Sequence, residues 1–238
     1  MKHGSRGLAV MLATLTLVAT GTFASASGPA KKAAAGKLVG TFRVDAADCA
    51  DGAATSGSYF RMIQPGGTLD AGPFLENGDS ACGDKTYSAL ERGSNGGLIT
   101  GKYQPQPDPP MDSAGNGLAD KILAPTKFFA LSFAVSTNKT DPQTGESVPT
   151  VSITASKKGK LSGDTKAFSV AYGGQQFNQG APKPDGSLPG LTKKLTGTYD
   201  PKTGEFEMEW VSAIVGGPFD TFTGVWHFEG TFKAKKKK

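Results

Sequence analysis

Glycine and proline interrupt this sequence so often that no long helix can form in it. The 33 Gly and 15 Pro among 238 residues bracket short runs of Val, Ile, Thr, Phe and Tyr. Glycine weakens a helix by about 1 kcal/mol per position and proline by about 3, whereas β-branched and aromatic side chains suit the pleated surface of a strand. A chain punctuated in this way folds as short strands joined by turns. An apolar fraction of 37% beside 20% charged residues excludes both a disordered chain and a polytopic membrane protein.

Nine segments carry strand patterning: Leu38 to Val44, Ser58 to Gln64, Gly97 to Tyr103, Phe128 to Thr137, Thr150 to Ser156, Ala167 to Tyr172, Leu191 to Tyr199, Glu205 to Val215 and Phe222 to Phe232. Asp141-Pro-Gln-Thr-Gly145 and Asp200-Pro-Lys-Thr-Gly204 share turn chemistry, with Pro presetting φ and Gly supplying a positive one. The second joins two clear strands and predicts a hairpin. A short echo recurs as Leu38-x-Gly40-Thr-Phe42, Leu195-x-Gly197-Thr-Tyr199 and Phe228-x-Gly230-Thr-Phe232. Glycine beside an aromatic within a strand marks a sharp bend, or bare backbone covered by a ring. The fold class is therefore all-β, read as a coiled antiparallel β-barrel with a two-sheet β-sandwich as the alternative. Long Gly/Pro loops span 104–110 and 178–190, and helix is confined to one or two turns at Asp84 to Arg92 and Leu118 to Leu123.

Residues 1–26 have a charged start at Lys2, His3 and Arg6, an apolar run from Leu8 to Val18 and the small-residue site Ala24-Ser25-Ala26, the three regions of a secretory signal peptide. The apolar run is too short and too broken for a membrane span. The expected organisation is a leader (1–26), a linker (27–36), one β domain (37–232) and a basic tail (233–238), with the mature protein secreted. In an oxidising compartment Cys49 and Cys82 form one disulfide, since two thiols without a histidine-rich neighbourhood cannot complete a zinc shell. Without the leader the chain has 24 basic and 21 acidic residues, and without Lys31, Lys32 and the five tail lysines it has 17 and 21, a net charge of −4. The basic character lies in the ends, which argues against nucleic acid as a partner of the body.

Several segments bear on chemistry. Gly96 to Lys102 matches the start of a phosphate-binding loop, but Tyr103 stands where Ser or Thr must hold magnesium, and the segment reads as a strand. In Asp112-Ser-Ala-Gly-Asn116-Gly117-Leu-Ala-Asp120 the acids and amide fall at positions one, five and nine of a calcium loop, with Gly at six. Over these residues the chain resembles the Asp-rich loops of thrombospondin type 3 and dockerin repeats, which implies calcium at Asp112, Asn116 and Asp120; an Asn-Gly turn followed by a helical turn is the other reading. Glu205, Glu207 and Glu209 alternate with Phe206, Met208 and Trp210, so the acids share one strand face. Their spacing resembles the acidic core of laminarinase-like retaining glycosidases, which implies Glu207 and Glu209 as catalytic carboxylates; a solvated strand face is the alternative. His227 has no Ser partner in a G-x-S-x-G element, and alternation turns it away from Trp226 and Phe228, towards an exposed or rim position.

The last 30 residues concentrate aromatics. Trp210, Phe219, Phe222 and Trp226 are the candidate ligand platform, with core packing as the other reading. The Ile214-Val-Gly-Gly turn and the alternating strand ending in Gly-x-Phe are similar to the terminal strands of allene oxide cyclase and dirigent-type barrels, which implies an antiparallel barrel and carries no catalytic residue. Lys235, Lys236, Lys237 and Lys238 offer an electrostatic tether to an anionic envelope surface, or a frayed solubilising end. Asn138-Lys-Thr140 is a glycosylation sequon. Together these features predict a secreted, non-enzymatic β domain that binds a small or glycan-like ligand or the cell envelope, needing no cofactor unless the 112–120 loop takes calcium. A secreted carboxylate-dependent glycoside hydrolase is the alternative.

Overall fold

The computed structural model describes residues 36–49 and 52–236, and its regular elements are all strands. The expected leader, the linker up to residue 35, and Lys237 and Lys238 of the expected tether lie outside the described residues.

Along the chain come β1 (Gly36–Leu38), β2 (Gly40–Val44), β3 (Tyr59–Thr68), β4 (Gly72–Phe74) and β5 (Ser88–Ala89). β6 (Gly97–Ile99), β7 (Thr126–Phe128), β8 (Leu131–Thr137), β9 (Ser152–Ala155) and β10 (Lys160–Asp164) follow. The last are β11 (Phe168–Tyr172), β12 (Gln175–Asn178), β13 (Lys193–Tyr199), β14 (Glu205–Ala213) and β15 (Thr223–Ala234). One sheet runs β1, β9, β10, β13, β14, β15, β2, β6, with β3 also on β15 and carrying β4 and β5. It curls into a half-barrel, and a smaller sheet of β12, β11, β8 and β7 packs against it.

β15 organises the large sheet. β14 pairs with it from Glu205↔Thr231 to Ala213↔Thr223. On the other edge β3 takes Thr223 to His227, and β2 takes Gly230 to Ala234. The two strands change over at Glu229, whose N–H donates to Ser58 Oγ at 3.1 Å. Two of the echoed segments are paired here, since Phe232 lies opposite Phe42 and their ring centroids are 4.7 Å apart. A Cβ on Gly40 would overlap the Lys233 carbonyl, on Gly197 the Glu207 carbonyl, and on Gly230 the Arg43 carbonyl. The echoed glycines are thus places where one strand's backbone lies against its neighbour's.

Alternation on β14 sends Phe206, Met208 and Trp210 into the space between the sheets and leaves the three glutamates outside. There Trp210, Trp226, Phe168, Phe42 and Phe228 are buried completely, with Phe168 edge-on to both indoles at 5.0 Å. The half-barrel is filled by rings, and each fully buried large side chain contributes about 1.5–3 kcal/mol.

Neither expected helical turn forms. Ser88–Ala89 is β5, and Asp84 Oδ1 accepts from the Thr86 N–H instead of capping a helix. At 118–123 the chain is irregular, with a bend at Lys121-Ile122 and a bridge from Leu123 to Arg92. The tail begins later than expected, because Lys233 and Ala234 belong to β15 and the Lys235 N–H donates to the Val39 carbonyl. Both D-P-x-T-G segments are turns, the second joining β13 to β14. The Cys49–Cys82 disulfide is formed and closes a 33-residue separation. Among the described residues no helix is long and apolar enough to cross a membrane.

Candidate functional site

At one end of the gap between the sheets two connections meet. The first is the two-residue turn from β7 to β8, Phe129-Ala130, with φ of 49° and 66°. Such a turn requires two left-handed residues and normally uses Asn-Gly; here neither position is glycine. It is held by the Ala130 N–H donating to Asp79 Oδ2 and by the Tyr172 hydroxyl donating to the Phe128 carbonyl at 2.6 Å. The second connection, 214–222, links β14 to β15. Its base closes through the Ile214 N–H to the Phe222 carbonyl at 2.7 Å, and Thr221 is also left-handed at φ 71°.

Between these connections lies an apolar mouth. Phe60, Phe128, Phe133 and Phe177 form its walls with Met62, Val170 and Ile214, while Trp226 and Phe219 close its floor and lip. The free volume is about 40 Å³, more than one water needs and far below the ~300 Å³ of a pocket that encloses a whole ligand. Phe129, 45% exposed, continues the lip outward. Both polar side chains at the mouth are engaged within the protein. Gln179 Oε1 accepts the Trp226 indole N–H at 3.2 Å and Gln179 Nε2 donates to the Asn178 carbonyl, while the Tyr172 hydroxyl is spent on Phe128.

Of the aromatics expected from sequence, Phe219 and Trp226 line the mouth. Phe222 packs beneath Phe219 with centroids 5.7 Å apart. Trp210 does not reach it: the ring stacks behind Trp226 at 6.1 Å, and its N–H donates to the Gln179 carbonyl at 2.9 Å. Phe129, Phe133, Phe177 and Gln179 were not legible as site residues. Nothing in Phe128-Phe129-Ala130-Leu131 marks the reversal, since none of the four is a turn-forming residue.

The candidate carboxylates lie on the opposite, outer face of the large sheet. Glu207 stands opposite Glu229, and Glu209 opposite His227. His227 is only 7% exposed, a correction to its expected rim position. The residue does face outward, as alternation requires, but the Tyr59 ring of β3 covers it in a stack 4.4 Å away and 10° from parallel. Its Nε2 lies 2.9 Å from Glu229 Oε1, and Nδ1 lies 3.9 Å from Glu209 Oε2. Burial works to lower the His227 pKa, yet hydrogen bonding with Glu209 and Glu229 and the charges of Glu229 and Glu207 outweigh it and leave the pKa raised. Burial, aided by the Glu209 charge, pushes the Tyr59 phenol up to about 12. Beyond Tyr59, the Arg61 guanidinium lies over the rings of Phe74 and Tyr87 at 3.4 and 4.2 Å.

At the proposed calcium loop, Asp112 and Asn116 are brought together, but by bonds to each other. Asp112 Oδ1 accepts from the Ala114 and Asn116 N–H groups, Asp112 Oδ2 from Asn116 Nδ2, and Asn116 Oδ1 from the Ser132 N–H. A cation here would have to displace those donors; Asp120 is exposed nearby in sequence, and Ser94 and Gly93 dock on that stretch through backbone bonds. The sequon asparagine, Asn138, is buried and donates to Ser136 Oγ while accepting from the Gln106 N–H. Lys235 and Lys236 are exposed at the end of β15.

Lys183 was not singled out by its sequence context, and the structure buries it. Its ammonium donates to Ser212 Oγ and to the Asn178 carbonyl, both at 2.8 Å, and Ser212 Oγ donates onward to the Gly180 carbonyl. Burial pushes the Lys183 pKa down to about 8 despite the nearby Asp141 charge. No protein-family model matches the sequence, and no curated protein or solved structure matches it either.

Proposed function

We propose that this chain is an exported, non-catalytic binding domain that captures a small apolar ligand group, an aromatic ring or the end of an alkyl chain, in the mouth between its two sheets. The observation that carries this reading is the lip itself. Phe129, Ala130 and Thr221 hold left-handed backbone without glycine, and strain of about 1–3 kcal/mol per residue persists where it serves a site. The turn places Phe129 in the open beside Phe219, where an Asn-Gly turn would place no ring.

The lining selects the ligand class. Both polar side chains at the mouth, Gln179 and Tyr172, are bonded inside the protein, and an apolar ligand fits this lining better than the glycan-like one also expected from sequence. Only the tip of such a ligand enters, while its body rests on Phe129 and Phe219. Glu207 and Glu209 lie on the other face of the sheet, which supports binding over carboxylate-dependent hydrolysis at this mouth. Export rests on the leader reading, with which the disulfide is compatible. The lysines from 235 to 238 would hold the domain close to anionic envelope polymers.

Titration with the neutral apolar fluorophore N-phenyl-1-naphthylamine, and separately with soluble oligosaccharides, tests this reading. Saturable, blue-shifted dye emission and no response to oligosaccharides are expected. A response to oligosaccharides alone would contradict it.

A further inference from the structure

We propose that Glu207, His227 and Glu229 form a binding site for a divalent transition-metal cation on the outer face of the large sheet. One donor atom from each of the three residues lies within 4.8 Å of the others. His227 Nε2 and Glu229 Oε1 are 2.9 Å apart in a hydrogen bond, and an ion held by both would take the place of that proton, with the two ligand atoms parting to about 3.4 Å around a tetrahedral centre. Glu207, directly across the strand pair from Glu229, is exposed and needs only a side-chain rotation to complete the set.

Two features beyond the spacing of the donor atoms point to a ligand. The first is the imidazole, which is buried and held on one face and at both ring nitrogens. Tyr59 stacks on its face, and Glu209, outside the ligand set, faces Nδ1. A carboxylate behind the nitrogen that does not bind metal is the arrangement that orients a histidine ligand and raises its basicity. The second is backbone support for Glu229. Its Oε2 accepts the Gly57 N–H at 2.7 Å, which leaves Oε1 turned towards His227. Gly57 has φ of 78°, and a Cβ there would overlap the Ala46 carbonyl, so only glycine brings that N–H into place.

The charge is also unbalanced. Like charges directly opposite on paired strands destabilise a sheet, and Glu207 and Glu229 are such a pair. Among the described residues, His227 is the only basic side chain within salt-bridge distance of Glu209 or Glu229, and Glu207 has none. A divalent cation between Glu207 and Glu229 would turn that repulsion into shared coordination. An imidazole with two carboxylates selects zinc, nickel or copper over calcium and magnesium, which prefer oxygen alone. Three protein ligands on an exposed face leave the remaining coordination positions to solvent.

The test uses the untagged full chain carrying His3→Ala, which makes His227 its only imidazole. Titration with Co²⁺, read by visible ligand-field absorption, should saturate at one ion per chain, and Zn²⁺ should displace it and raise the melting temperature. Ca²⁺ and Mg²⁺ at the same concentration should do neither. Glu207→Gln, at an exposed position and relieved of its repulsion with Glu229, should keep or slightly raise the metal-free melting temperature and weaken Co²⁺ binding by about tenfold or more, and His227→Gln should abolish the spectrum. Absence of a Co²⁺ spectrum, affinity unchanged in both variants, or equal competition by Ca²⁺ would each overturn the proposal.

Discussion

The ring of Phe129 faces the ring of Phe219, with centroids 6.4 Å apart and planes within 28° of parallel. The β7–β8 turn and the 214–222 connection, nearly 90 residues apart in sequence, are thereby joined at the lip of the mouth. Because the turn holds two non-glycine residues in left-handed backbone, its geometry opposes its sequence. Phe129→Asn with Ala130→Gly should relieve that conflict and raise stability by about 1–2 kcal/mol. The same double variant should bind N-phenyl-1-naphthylamine more weakly. Urea unfolding and dye titration on one preparation would separate the two effects.

Gln179 holds both indoles, Trp226 through its side chain and Trp210 through its carbonyl. Gln179→Ala would strip the buried Trp226 N–H of its acceptor and destabilise the fold by about 1–3 kcal/mol. Chemical denaturation measures the loss. Tryptophan emission should shift as well, since the chain has only these two Trp residues.

Lys183 gives a pH signature. Its pKa is near 10.5 when solvated and about 8 in the fold, so between these values the unfolded chain holds a proton that the folded chain has shed. Stability from this group therefore rises as pH increases from about 8 towards 10, by up to about 3 kcal/mol. Above pH 10 the raised Tyr59, Tyr172 and Tyr199 act in the opposite sense, because the unfolded chain then loses phenolic protons that the fold retains. Lys183→Met should flatten the rise when urea unfolding is repeated across that range.

The Cys49–Cys82 bond closes a loop of 33 residues in separation. Loop-entropy arguments assign it about 3–4 kcal/mol. Unfolding with and without a reductant should show a loss of that size, which Cys49→Ser with Cys82→Ser should reproduce.

All nine strands read from sequence correspond to strands of the fold, because alternation and turn residues are local signals. The alternation of Glu205 to Trp210 in particular assigned both faces of β14 correctly. Four short strands, β4, β5, β10 and β12, went unread because they carry few β-branched or aromatic residues; the rest of what escaped was non-local. Phe128 to Thr137 reads as one strand because Phe-Phe-Ala-Leu contains no turn former, yet the chain reverses at Phe129-Ala130 and builds the lip there. His227 reads as exposed because its covering ring, Tyr59, comes from a strand 168 positions earlier in the chain. The helix expected at Asp84 to Arg92 gives way to contacts that its own sequence does not contain: Tyr87 lies against Tyr59 and under Arg61, and Ser88 pairs with Phe60. Trp210 and Trp226 look alike in sequence, and only the packing of the small sheet places one at the mouth and the other behind it.

Capture of an apolar group at the mouth is tested most directly by filling it. Val170 lines the free volume and lies opposite Phe177 on the neighbouring strand, and Val170→Phe adds about the volume that a ligand tip would occupy. Calorimetric titration of N-phenyl-1-naphthylamine should show one site on the unaltered chain and none on Val170→Phe, with the unfolding midpoint of the variant showing that it folds. Equal stoichiometry and affinity in a folded Val170→Phe protein would contradict the account.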